Sequence, residues 1–168
     1  MTATASTLAA VTEELRGSIT MLLEALRERS ALILLFAGID ILGALDTADG
    51  EATKLSFINW ADKYMAPQAK LGCSSLELYS ARCGVLHALS AQTRLAAQGS
   101  ARQFVFVTYP PVFPEDNVEG GPFVVSTGNL WLAFRDGMVQ FQADAIGDSL
   151  QADRVERNLA GVYFTRSR

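Results

Sequence analysis

The chain has little of what metal and disulfide chemistry needs. It holds one histidine and two cysteines in 168 residues. Cys73 and Cys83 lack both the close spacing and the second ligand pair of a zinc site, and a single imidazole does not complete a classical centre. No metal and no cofactor is therefore expected. The same scarcity removes a disulfide framework, which points to a reducing, cytoplasmic compartment. Excess positive charge is missing too: 14 Lys and Arg stand against 18 Asp and Glu, with a net charge of −4 and a pI near 5.0. A long nucleic-acid track needs a basic face to replace condensed counterions, so any contact with nucleic acid should be local and brief.

Long apolar runs are also absent. The most hydrophobic stretch, Ala31 to Leu45, is too short to span a bilayer and carries Asp40 in its middle. It reads as a core helix, and no membrane association is expected. The opening Met1-Thr-Ala-Thr-Ala-Ser has neither the positive n-region nor the apolar core of a signal peptide. No phosphate-cradling glycine loop is present, and Ser90 and Thr93 follow His87 without a triad partner. There is no internal repeat. What the chain does have is a globular balance, 49% hydrophobic and 19% charged, at a length able to bury a core.

Periodicity organises that material into helices. Leu8, Val11, Leu15, Ile19, Leu22 and Leu26 recur at three- and four-residue spacing, predicting an amphipathic helix over 7–29 with Ser30 as the junction. A second helix over 31–45, apolar nearly all round, belongs at the centre of a bundle. A third over 54–64 turns Phe57, Trp60 and Ala61 inward. Trp60 and Tyr64 are assigned to the core rather than to a base-stacking platform. Ser74 or Ser75, with Glu77 in the first turn, opens a fourth helix reaching about Gln98, with Gly99 as its C′ residue.

The period then shortens. Alternation predicts strands at 102–108 and 122–126, pairing with each other across a loop. Over 130–145, Arg135-Asp-Gly suggests a hairpin, but Leu130, Phe134, Met138, Phe141 and Ala145 form a helical stripe, and the stripe is preferred. Asp148 or Ser149 caps a last helix to about Tyr163, with Leu150, Val155, Leu159 and Val162 as its buried edge. Arg154, Arg157, Arg166 and Arg168 on this stretch read as a solvated face. The expectation is one domain, 1–168: a four-helix core over 1–99, then a strand pair and C-terminal helices over 100–168.

One constellation can carry chemistry. The fourth helix reads Leu76-Glu-Leu-Tyr79-Ser-Ala-Arg82-Cys83-Gly-Val-Leu-His87, with four residues between Arg82 and His87. This arginine–histidine spacing, in a late helix of a bundle, resembles the motif of the HEPN (higher eukaryotes and prokaryotes nucleotide-binding) superfamily. The likeness covers about the first hundred residues. It implies a HEPN-like helical bundle that pairs as a homodimer and a metal-independent endoribonuclease whose Arg and His, from both subunits, line one cleft. On that resemblance His87 handles the proton of the 2′-hydroxyl or of the leaving oxygen, and Arg82 stabilises charge on the phosphate. A protein partner that restrains the activity, as an antagonist would, fits the same setting. Catalytic members tend to carry a polar residue directly after the arginine, where this chain has Cys83.

The chemistry is sound on its own terms. Cleaving RNA by its own 2′-hydroxyl needs a proton acceptor on one side and a donor on the other, and histidine serves as either near neutrality. A guanidinium matches the charge that gathers on the phosphorus. With one histidine per chain, a second must come from a partner across a two-fold axis. On a helical wheel Ser80, Gly84, His87, Ala91 and Arg94 share one stripe, whose small residues would let a partner helix approach. Arg82 lies about 140° away around the axis, so the two side chains flank a cleft rather than face each other. Asp40, costly in an apolar helix unless paired, is the natural acid for Arg82, and Tyr79, three residues before Arg82, borders the same place. The alternative is a non-catalytic HEPN-like dimerisation or nucleotide-binding module, in which Asp40–Arg82 merely orients helices.

Overall fold

The computed structural model describes residues 3–66, 71–88, 92–108 and 117–160. It is mainly helical, with one small sheet. Helix α1 (Ala3–Glu24) is followed by α2 (Glu28–Leu45) and α3 (Lys54–Trp60), which runs on into a π-helical turn, Ala61–Met65. Helix α4 (Ser75–Ala88) and the one-turn α5 (Arg94–Ala97) precede the strands β1 (Phe104–Val107) and β2 (Phe123–Ser126), and α6 (Thr127–Gly147) and α7 (Ser149–Leu159) complete the order.

Helix α2 is the axis of the molecule, as its composition predicts. Helices α1, α3, α4, α6 and α7 all pack against it. Leu35, Phe36, Ile39 and Leu42 are sealed inside. Close approach to α3 depends on Gly43, where a Cβ would stand 2.8 Å from the Ser56 carbonyl oxygen. Phe57, Trp60 and Ala61 face inward as expected, and Trp60 and Tyr64 are core residues, ringed by Phe134 and Phe141. Thr12 is buried as well, bonded to the Leu8 carbonyl and to Gln142 of α6.

The first helix ends earlier than its stripe suggests. Arg27 N donates to Leu22 O and Leu26 N to Leu23 O, while Leu26 adopts φ +57°. This is a Schellman turn with leucine, not glycine, in the left-handed position. The junction is therefore at residues 25–27 rather than at Ser30, and Leu26 points to solvent. The same turn closes α5 on Gly99 (φ +68°), where the sequence does announce it. Helix α4 does not run on to Gln98: Thr93 takes extended backbone and caps α5 by accepting from Ala96 N. At its other end Ser74 and Glu77 form a reciprocal capping box.

The strands pair in parallel, Phe104 opposite Phe123 and Val107 opposite Ser126. Asn117 closes the outer edge of β2 with both amide groups on Val124. Residues 127–147 are helical, so the stripe prevails over the hairpin. Gly137 sits mid-helix, where a Cβ would lie 3.0 Å from the Tyr64 carbonyl oxygen. It serves contact with the π turn, not a chain reversal. Helix α7 is rotated from the expected edge: Leu150 is 69% exposed and Gln151 1%. Gln151 donates to the Tyr64 hydroxyl at 2.8 Å, in line with Val155 and Leu159 one and two turns on. Val162, Tyr163, Arg166 and Arg168 lie outside the described residues. Arg154 pairs with Asp46, and Arg157 donates to the Ala48 carbonyl. Among the described residues no helix is long and apolar enough to cross a membrane.

Candidate functional site

Two helices build the site. Asp40 projects from the α2 face that meets α4, and Tyr79, Arg82, Cys83 and His87 come from α4. The expected ion pair is present. Arg82 Nε and Nη2 both donate to Asp40 Oδ2, at 2.9 and 2.7 Å, with the two side chains 19% and 15% exposed. Burial alone would favour a neutral Arg82, but its bonds and charge contact with Asp40, together with Cys83, hold its pKa above the ordinary value. The guanidinium is thus fully charged and anchored by one edge.

Its third nitrogen is turned outward. Arg82 Nη1 lies 3.1 Å from His87 Nε2, and His87 is exposed. Side chains about 140° apart on a helix would not ordinarily meet. The arginine is long enough to close the gap along the helix surface, so motif spacing that looked indifferent becomes a direct contact.

Tyr79 is the wall behind this pair. Its ring packs edge-on against Phe57 at 5.6 Å, and the Arg82 guanidinium carbon stands 5.8 Å from its centroid. Burial, then the neighbouring Cys83 and Asp40, push the Tyr79 hydroxyl above its usual range, with Arg82 opposing. Cys83 is half-buried and free, in contact with Tyr79 and Arg82. Sequence reasoning did not place Lys54 here. Its Nζ also lies 5.8 Å from the Tyr79 centroid. Two cations and one carboxylate therefore gather around a single ring, giving a locally positive spot on an acidic protein.

One expectation fails on geometry. The small residues proposed as a seam for a partner helix are already covered by this chain: Ser80 is 1% exposed and its hydroxyl bonds to that of Thr93 at 2.5 Å, and Gly84 is buried. Ala91 lies outside the described residues. A groove of about 830 Å³ opens elsewhere, between the α1–α2 corner and β1, lined by Leu26, Arg27, Arg29, Val85, Phe104 and Phe106. None of the five predicted site residues lines it. Among the described residues no three His, Cys, Asp or Glu side chains converge as metal ligands would.

No family model matches the sequence, and neither a curated protein nor a solved structure matches it.

Proposed function

We propose that this chain is a metal-independent endoribonuclease of the HEPN type, working as a homodimer in which Arg82 and His87 of both copies face one phosphodiester. The observation that carries this reading is the contact between Arg82 Nη1 and His87 Nε2 at the protein surface. A charge-stabilising group and a proton-transfer group stand within hydrogen-bond reach of each other, and Asp40 holds the first of them still. In the reaction His87 of one copy takes the proton of the 2′-hydroxyl. That oxygen attacks the adjacent phosphorus while the arginines hold the non-bridging oxygens. His87 of the second copy protonates the departing 5′-oxygen, leaving a 2′,3′-cyclic phosphate. Each protomer has one imidazole, so the acid–base pair requires two chains. Lys54, near the same ring, supplies local attraction that the acidic whole does not.

Purified protein incubated with mixed single-stranded RNA in EDTA tests this. Cleavage to cyclic-phosphate ends is expected, with a loss of at least about a hundredfold in His87→Ala. Cleavage that persists in the variant, or no cleavage by a dimeric wild type, defeats the proposal. The burial of Ser80 and Gly84, which leaves no small-residue seam for a partner helix, favours a second reading, a non-catalytic nucleotide-binding module. That reading predicts a thermal shift with nucleotide, abolished in Arg82→Ala, without any cleavage.

A further inference from the structure

We propose that Arg82 and His87 form a proton-linked oxyanion site: the free site holds His87 neutral, and a phosphate-like anion on Arg82 releases the ring and lets it take up a proton from solvent. This deepens, and rests on, the reading of the pair as a phosphodiester site.

The inference begins with hydrogen-bond direction. A guanidinium has N–H groups only and no lone pair to offer. At 3.1 Å from Arg82 Nη1, His87 Nε2 must therefore be the acceptor. The ring is then neutral with its hydrogen on Nδ1, because an imidazolium carries N–H at both nitrogens. Protonating Nε2 would set two cationic N–H groups against each other, so the contact survives only while the ring is uncharged.

Among the described residues, the charged and titratable groups placed at the site beside Arg82 and His87 are Tyr79 and Cys83 on α4, Asp40 from α2 and Lys54 from α3. Asp40 already spends its attraction on Nε and Nη2 of Arg82, which pins that guanidinium and leaves Nη1 as the outward nitrogen. An oxyanion bonded there neutralises the excess positive charge. The imidazole then rotates off Arg82, protonates at Nε2 and donates to the same anion. Anion binding and proton uptake promote each other to the same degree, since the linkage is reciprocal. For a nuclease this sequence delivers a charged acid only when phosphate is present.

The single histidine makes the test direct. In the full-length chain labelled with ¹⁵N-histidine, the imidazole nitrogens are followed while sulfate or a thymidine dinucleoside phosphate is added. Neither probe titrates near neutrality, and the second has no 2′-hydroxyl to cleave. Without anion at pH 8, the Nδ1–H tautomer is expected, with Nε2 shifted as a hydrogen-bond acceptor. With anion the ring moves to the imidazolium pattern, and affinity at pH 6 exceeds that at pH 8 by about tenfold. His87→Gln is expected to lose the pH dependence, its affinity at pH 6 falling to that at pH 8, and Arg82→Lys to weaken binding throughout. An Nε2–H tautomer in the free protein, an anion that binds without moving the ring, or affinity independent of pH would overturn the inference. Linkage without RNA cleavage removes the nuclease and leaves the site; cleavage without linkage does the reverse.

Discussion

Helix α4 carries two arginine–carboxylate pairs of opposite character. Near its start Glu77 receives Arg102 in a fork, Nε to Oε1 at 2.6 Å and Nη2 to Oε2 at 3.0 Å. The same Nη2 also donates to the Gly72 carbonyl, and the guanidinium lies 4.4 Å over the Phe123 ring. Half-way along, Asp40 holds Arg82 through a single oxygen, and Nη1 is left facing an exposed imidazole. The first arginine meets a carboxylate, a carbonyl and an aromatic face, so it ties the approach to β1 and the start of α4 together. The second is anchored through two nitrogens, and its third donates to an exposed imidazole that can turn away. The kind of partner, exchangeable or fixed, separates a site from a clamp.

The strongest way to test that contrast is to remove Asp40. Asp40→Ala strands a mostly buried guanidinium, and a loss of about 3 kcal/mol in urea unfolding is expected. Asp40→Leu combined with Arg82→Met, which removes both charges, should recover most of it. A loss below about 1 kcal/mol in the single variant would mean that Arg82 simply turns to solvent, and the anchored half of the comparison would fail.

Glu77→Gln comes next, at about 2 kcal/mol. Arg102 and the capping bonds from Ser74 draw the Glu77 carboxyl down to about 2 from an ordinary 4.5. A carboxyl depressed in the folded state stabilises above its unfolded value and loses that contribution as the pH falls through the folded one. The gap between wild type and variant should therefore be full at pH 7 and close between about pH 4.5 and 2. A gap that does not narrow with acid would show the clamp to be steric, not ionic.

The smallest effect is a labelling difference between the two cysteines, one beside each pair. Burial pushes the Cys73 thiol up to about 12, so at pH 8 its thiolate fraction is on the order of 10⁻⁴. Iodoacetamide followed by peptide mass mapping should label Cys83 before Cys73. Equal rates would mean that the Glu77–Arg102 end opens readily.

Much of this architecture was readable from periodicity, because a core helix must repeat its apolar face whatever it packs against. Leu130, Phe134, Met138, Phe141 and Ala145 are buried together as their spacing demands. Asp40 announced a partner because a carboxylate in an apolar helix cannot stand alone. The misses share a cause. Leu26 in a left-handed turn, Gly137 against the Tyr64 carbonyl and Gln151 in place of Leu150 each depend on a neighbour distant in the chain or on a turn whose usual glycine is missing.

Local composition thus settled which segments are helical, which face of most of them is apolar, and that Arg82 needs Asp40. Packing settled the rest: that Lys54 of α3 stands by Tyr79, that Ser80 and Gly84 are covered within the chain, and that Nη1 of Arg82 ends beside Nε2 of His87. A hydrophobic stripe is a property of one helix, whereas the position of a hydrogen-bonding atom is a property of every helix packed around it.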